Sequence, residues 1–336
     1  MSLVRTLCFV ALVTSAGTSA RGTTLSRYEF AQRLMGTRFR IVMYAPDPST
    51  ATQAASAAFQ RIETLDNIMS DYRDSTELMR VSAAAGGPPV PVSEDLFRVL
   101  EAAQETARRS DGAYDVTVGP VVRLWRMSRL HHTLPDPERL AWARARVGYR
   151  NLRLDPQART VQLLERGMLL DLGGIAKGYA ADAALEVLKK FGISRALVAG
   201  GGDIAVGDPP PGEKGWVIGI APLESPQAPP TRFVSLHNAA VSTSGDAEQH
   251  VEIAGVRYSH VIDPKTGQAL TGRRSATVIA PNGATSDALA TAVCVLGPKR
   301  GLALIDSLPG ASVLMVLEEN GSPRSYESRF PPAGEK

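Results

Sequence analysis

The chain has 336 residues, with 37 basic against 34 acidic side chains and a formal charge of +3. Its apolar, charged, glycine and proline contents are those of an ordinary globular protein, which excludes disordered and fibrous classes. No run of five like charges occurs, so there is no electrostatic footprint for nucleic acid.

The first residues read as a leader. A basic residue within Met1–Arg5 precedes an uncharged apolar run, Thr6–Gly17, and Thr18-Ser19-Ala20 places small residues where a signal peptidase reads. The pattern is that of a signal peptide over 1–20, too short for a membrane helix; a core helix is the alternative. Cys8 sits at the start of the apolar run, which does not suit lipid attachment. Export without a lipid anchor is expected, with no later segment of membrane-span length. Cleavage would leave Cys294 alone, so no internal disulfide is expected. Its neighbours Ala292, Val293, Val295 and Leu296 mark it as a small buried hydrophobe.

Further along, Tyr28–Tyr44 alternates as strand around Met35-Gly36-Thr37. Thr50–Met69 has Phe59, Ile62, Leu65 and Met69 at helical spacing. Glu94–Arg108 reads as a second helix, with Ser93 as N-cap and Glu94 and Asp95 in its first turn. Ser128–Pro137 is polar and reads as a loop that exposes His131 and His132. A strand pair at Leu152–Leu164 leads to Asp171-Leu-Gly-Gly174 and a helix over Ile175–Phe191, stopped by Gly192. Two strands flank Gly200-Gly-Gly-Asp203. Trp216–Ile220, Phe233–Leu236, Val251–Ile262 and Ser275–Ala280 read as strands. Ser286–Leu296 is a helix stopped by Gly297 and followed by Pro298, with Val313–Glu318 as the final strand. Strands and helices do not alternate regularly as βαβ, which predicts an α+β fold: a single intertwined domain of mixed β-sheets flanked by helices, spanning 24–330.

The sequence has no GxGxxG after a strand, no P-loop, no HExxH and no paired CxxC, so ordinary dinucleotide, nucleoside-triphosphate and zinc sites lack support. Three stretches remain. On the helix from Ser286, Asp287 and Thr291 stand at i and i+4, opposite Leu289, Ala292, Val293 and Leu296. They suit a hard cation such as Mg²⁺, or a solvated face with Asp287 favoured by the helix dipole. Asp171-Leu-Gly-Gly-Ile-Ala-Lys177-Gly offers amides at a helix start to a phosphate, or is simply a tight turn. In Tyr258-Ser-His260-Val-Ile-Asp-Pro-Lys-Thr-Gly267, His260 is a core residue or a candidate general base.

Taken together and in order, these stretches resemble the FAD:protein FMN transferases of the ApbE family. The resemblance also rests on Met35-Gly-Thr37, Met69-Ser-Asp-Tyr72-Arg, Gly112-Ala-Tyr-Asp115-Val-Thr-Val-Gly-Pro120, Gly201-Gly-Asp203, Thr243-Ser-Gly245 and Asp287-Ala-Leu-Ala-Thr291-Ala. It implies that Mg²⁺ is held by Asp287, Thr291 and the carbonyls of Gly174 and Ala284. It implies FAD contacts at Met35, Tyr72, Ala113, Tyr114, Asp115, Asp171, Lys177 and the backbone near Ile262. His260 would assist the acceptor hydroxyl as a base of near-neutral pKa. Ala247 and Ser82 depart from the family pattern, where an aromatic residue and an asparagine are usual.

The implied reaction moves FMN from FAD, as substrate, to a Thr or Ser of an acceptor protein and releases AMP. The implied acceptor is a flavin-carrying subunit of a membrane redox complex, in the periplasm. A Mg²⁺-dependent FAD pyrophosphatase would use the same residues with water as acceptor. A non-catalytic FAD-binding protein would not need Asp287, Thr291 and His260.

Overall fold

The computed structural model describes residues 24–223, 228–230, 232–246 and 249–332. The expected signal peptide, Cys8 and Ala247 lie outside the described residues.

The chain opens with a hairpin of β1 (Ser26–Leu34) and β2 (Thr37–Ala45). Its two-residue connection places both Met35 (φ 50°) and Gly36 (φ 73°) in the left-handed region, as a primed turn between twisted strands requires. Next come α1 (Pro48–Met69), α2 (Glu77–Ala83), the short β3 (Val90–Pro91) and α3 (Glu94–Arg109), whose N-cap is Ser93 as expected. Two helices follow, α4 (Gly119–His131) and α5 (Pro137–Arg144). Ser128–His131 is therefore the last turn of α4 and not loop; His131 and His132 are exposed, as read.

After β4 (Leu152–Asp155) and β5 (Thr160–Leu163) come α6 (Ala176–Lys190), β6 (Ala196–Gly200) and β7 (Asp203–Val206). Then follow β8 (Trp216–Ile220), β9 (Arg232–Leu236), β10 (Ala239–Gly245), β11 (His250–Ile253), β12 (Val256–Ile262), β13 (Ala269–Thr271) and β14 (Arg274–Ala280). The long α7 (Gly283–Asp306) precedes β15 (Ser312–Glu319) and β16 (Ser322–Ser328). The expected single strand at Val251–Ile262 is thus a hairpin, and Val313–Glu318 is not the last strand.

Eight strands form the main sheet in the order β1-β2-β6-β7-β10-β14-β15-β16, with every neighbouring pair antiparallel. Strands from both ends of the chain meet in it. Side-chain alternation with a period of two feeds two cores. Phe39, Ile41, Met43, Val198, Val278 and Met315 face α1, α6 and α7. Val42, Leu197, Ile279 and Leu314 face the β8–β9 hairpin. An antiparallel sheet with its helices gathered on one face is the α+β arrangement.

α7 has 24 residues, and an 18-residue stretch within it has a mean hydropathy of 1.5. It therefore has the length of a membrane span, against the expectation that no segment beyond the leader does. Here it is a core helix: Ala288, Leu289, Ala292 and Val293 are buried. The axis breaks at Gly297 (φ 71°), just before Pro298, where the sequence places a stop.

α6 and α7 cross at near-backbone contact. A Cβ on Gly178 would lie 2.0 Å from the carbonyl oxygen of Gly283. Only paired glycines permit that approach, and it brings the first turns of both helices together.

Candidate functional site

The crossing places Asp287 in the interior, 2% exposed. The solvated-face reading of this helix is overturned, since residues on all sides of it are buried. One Asp287 carboxylate oxygen accepts from the amide of Gly178 at 3.2 Å and lies 3.8 Å from the Lys177 ammonium. Burial pushes its pKa up to about 7; the charge of Asp203 adds to this and Lys177 opposes it.

Thr291, one turn further along α7, shares a hydrogen bond of 3.1 Å with Ser244 on β10. Ser242, two residues earlier on the same strand face, bonds Ser286 at 2.8 Å. These two hydroxyl pairs fix the rotation of α7 on the sheet. Gly174 lies directly opposite: a Cβ there would be 2.9 Å from the Thr291 hydroxyl oxygen. Ala284 stands at the head of α7, where its amide donates to Asp182 at 3.0 Å.

Tyr114 completes the group. Its hydroxyl is buried without a hydrogen-bond partner among the described residues. Burial, then the carboxylates of Asp287, Asp171 and Asp115, raise its pKa. A buried, unmatched hydroxyl near three carboxylates is a place for a ligand. Among the described residues no three His, Cys, Asp or Glu side chains cluster as a metal cage. The donors at hand are one carboxylate, hydroxyls and carbonyls. That set fits Mg²⁺, which binds through one or two carboxylates and completes its shell with water and substrate phosphate.

A second group surrounds Asp171, just before α6. Arg126 on α4 reaches Asp171 at 2.9 Å and also pairs with Asp71. Its guanidinium lies 4.3 Å from the centre of the Tyr72 ring. Tyr72 is 77% exposed, so one ring face is held by Arg126 and the rest is open to a stacking partner. Burial and the charge of Asp71 raise the Asp171 pKa, with Arg126 opposing. The other Asp171 oxygen accepts from the Gly173 amide at 2.8 Å and shapes the turn.

The remaining expected contacts are spread around this centre. Ala113 is buried. The Asp115 carboxylate accepts from the Thr117 amide and hydroxyl (2.8 and 2.7 Å) and from the Tyr149 amide (2.7 Å). Its oxygens therefore tie loops together; with Lys265 it lines an open cavity of about 370 Å³. Ile262 is buried at the end of β12, in the cluster around Trp125. Met35 is half-buried against the core; a non-glycine residue at φ 50° is strain of the kind that gathers at functional sites. Ser82, where the family pattern has asparagine, is buried and accepts from the Leu170 amide at 3.1 Å.

His260 lies on β12 at an irregularity. Tyr258 pairs with Thr271 and Ile262 with Ala269, so three residues of β12 face one of β13. Such a bulge re-aims side chains at functional positions. The His260 Nδ1 lies 3.2 Å from the Gln249 carbonyl oxygen. A carbonyl only accepts, so the neutral ring carries its proton on Nδ1 and leaves the Nε2 lone pair free. Burial lowers the pKa to about 4, against the Gln249 carbonyl, and the charges of Arg129 and Lys177 add to the effect. The near-neutral pKa expected from sequence is thus moved down, because the ring is desolvated among cations.

Four residues of this site carried no assignment in the sequence reading: Arg126, Asp182, Asp203 and Ser244. Asp203 and Ser244 lie within quoted motifs, Gly201-Gly-Asp203 and Thr243-Ser-Gly245. Arg126 and Asp182 lie on helix faces where nothing local distinguishes them.

The fold and site define an α+β protein with an oxygen-lined group facing a glycine-rich helix start, flanked by an exposed aromatic ring and a half-buried histidine. The ApbE family model matches residues 35–315, and the chain belongs to that family. It is 34% identical over 328 residues to the FAD:protein FMN transferase of Treponema pallidum (strain Nichols), covering 93% of this chain and 90% of that protein. It is 31% identical to the FAD:protein FMN transferase of Klebsiella pneumoniae (strain 342), covering 88% and 86%. Among solved structures, the flavin transferase ApbE from Vibrio cholerae superposes with a TM-score of 0.80 at 29% identity, over 91% of this chain and 98% of that one. The ApbE protein from Thermotoga maritima gives 0.80 at 32% identity, over 90% and 97%.

Proposed function

We propose that the chain is a Mg²⁺-dependent FAD:protein FMN transferase acting on a Thr or Ser hydroxyl of an exported acceptor protein. The observation that carries this reading is the α6–α7 crossing, which brings Asp287, Thr291 and Gly174 into one oxygen-lined group. His260, with a free Nε2, lies within electrostatic reach of Lys177 in the same group.

Asp287, Thr291 and the carbonyls of Gly174 and Ala284 would hold the cation. The chemistry Mg²⁺ supplies when bound is neutralisation of the FAD pyrophosphate and of the leaving oxygen. Tyr72 and Arg126 offer a stacking surface to an aromatic ring of FAD. The amides at the start of α6 and the Lys177 ammonium favour the phosphates. His260 Nε2 takes the proton of the acceptor hydroxyl as its oxygen attacks the phosphorus on the riboflavin side. The phosphorus–oxygen bond to AMP breaks, AMP leaves, and FMN remains as a phosphoester on the acceptor. Positioning and electrostatics carry most of such a transfer.

Export to the periplasm, with cleavage after Ala20 and a mature domain over 24–330, belongs to the same reading, as does an acceptor that is a flavin-carrying subunit of a membrane redox complex. N-terminal sequencing of exported protein should begin near Arg21; recovery of Met1 or of a lipidated Cys8 would contradict export by cleavage. The activity itself is tested by incubating the protein with FAD, Mg²⁺ and a candidate acceptor, then weighing the acceptor by mass spectrometry. A gain equal to one FMN less one water, with release of AMP, is the expected result. FMN and AMP appearing free, with acceptor mass unchanged, would assign hydrolysis instead.

A further inference from the structure

We infer that Asp203 is a positioning residue for the cation site: it holds the Lys177 ammonium away from Asp287, so that the Asp287 carboxylate stays available to a divalent cation. The inference rests on the reading of Asp287 as cation ligand given above.

Asp203 opens β7, directly after the Gly200-Gly201-Gly202 turn. Its backbone pairs with Gly200 on one side and Ser242 on the other, in the middle of the main sheet. A strand held on both edges cannot shift, and the Asp203 side chain, 4% exposed, projects towards α6. There its carboxylate meets Lys177, in the first turn of that helix, at 2.6 Å. The same ammonium is 3.8 Å from the Asp287 carboxylate and 3.5 Å from the Gly173 carbonyl. Lys177 immediately precedes Gly178, whose amide donates to Asp287. One ammonium thus stands between two buried carboxylates, in close contact with Asp203 and in a longer ion pair with Asp287.

Two carboxylates share one ammonium, and Asp203 has the shorter contact with it. Among the described residues, the other carboxylate paired with Lys177 is that of Asp287, at 3.8 Å. Without Asp203 the lysine would occupy, as an internal counter-ion, the position a divalent cation needs. In a water-poor interior a contact of that kind is strong.

The test is Mn²⁺ binding to the full-length protein alone, without FAD or acceptor, read from the electron paramagnetic resonance of free Mn²⁺. Asp203→Asn should weaken binding by about 10–100-fold, the scale seen when a partner behind a metal ligand is lost. Lys177→Met should bind Mn²⁺ at least as tightly as the unaltered protein. In the double variant Asp203→Asn/Lys177→Met, affinity should return to near that of the unaltered protein, because the competitor is gone.

Unchanged affinity in Asp203→Asn overturns the proposal. So does a double variant as weak as Asp203→Asn, since that would mean Asp203 attracts the cation directly and not through Lys177. If Asp203→Asn does not fold, as judged by circular dichroism, Lys177→Met decides alone: weaker Mn²⁺ binding there overturns the proposal. Unaltered protein that binds no Mn²⁺ overturns it together with the cation site. FMN transfer stands or falls separately by the mass of the acceptor.

Discussion

The carboxylate of Asp182, on α6, accepts the amide of Ala284, at the head of α7, at 3.0 Å, and its other oxygen accepts the neighbouring Gly283 amide at 2.7 Å. The first amides of a helix have no partner within it. Here a tertiary carboxylate supplies one, alongside the local cap from Asn282 to Thr285 at 2.9 Å. Asp182→Ala should leave two part-buried donors unmatched, at about 1–3 kcal/mol for each. Urea unfolding is the measurement, and an unchanged midpoint would show that the pair does not hold α7 in place.

Gly178→Ala tests the helix crossing. The added Cβ would meet the Gly283 carbonyl oxygen at 2.0 Å and the Ala284 amide at 3.0 Å. Both are backbone atoms that cannot rotate away, so α6 and α7 must separate. The expected loss is about 1–3 kcal/mol of stability or more, with Mn²⁺ binding reduced because the separation withdraws the Gly178 amide from Asp287. A variant with native melting temperature and native cation binding would refute the close crossing.

Asp287→Ala should abolish Mg²⁺-dependent transfer while weakening FAD binding less; full activity of this variant in EDTA would refute the metal role. A pH dependence follows as well. The Asp287 pKa rises from an ordinary 3.8 to about 7 in the folded protein. Between those values the folded state binds more protons than the unfolded state, so this group makes stability fall as pH rises through the window. A bound divalent cation relieves that penalty. The rise in melting temperature on adding Mg²⁺ should therefore grow from pH 5 to pH 8 and be small in Asp287→Ala. A Mg²⁺ effect independent of pH would count against Asp287 as the ligand that titrates.

His260→Ala should bind FAD nearly normally and lose about 10²–10⁴ in transfer rate, the range for a general base. With its pKa lowered to about 4, His260 is neutral from pH 5 upward. Its titration should then leave the wild-type rate flat through pH 6.5 and depress it only near pH 4. For stability the sign is opposite to that of Asp287: the unfolded chain binds the extra proton between about 4 and 6.5, so this group loses stability as pH falls through that window. Single-turnover transfer and melting temperature on the same variant separate a base from a packing residue. Near-normal transfer in a stable, FAD-binding variant removes His260 from the chemistry.

Local signals sufficed wherever an element owed its form to its own residues. The Ser93 cap, the apolar stripe of α1 and the break at Gly297-Pro298 were all legible in the sequence, whereas the turn at Met35-Gly36 that splits Tyr28–Tyr44 into two strands was not. The spacing that stacks Asp287 on Thr291 was legible too. Elements shaped by their neighbours were not. β10 reads Ala239-Ala-Val-Ser-Thr-Ser-Gly245, without apolar alternation, because Ser242 and Ser244 bond hydroxyls of α7. β16 is polar and contains Pro323, which an edge strand exposed along most of its length tolerates.

The chemistry divides in the same way. Residue type and order were enough to gather the oxygen donors, the histidine and the family resemblance. Whether Asp287 is buried, which carboxylate Lys177 prefers and where the His260 proton sits depend on groups brought in from distant parts of the chain. Asp203 reaches Lys177 only because β7 lies in the sheet beneath α6, and Gln249 reaches His260 across the bulged β12. Charge and desolvation act through space over a few ångströms, so only the tertiary structure decides them.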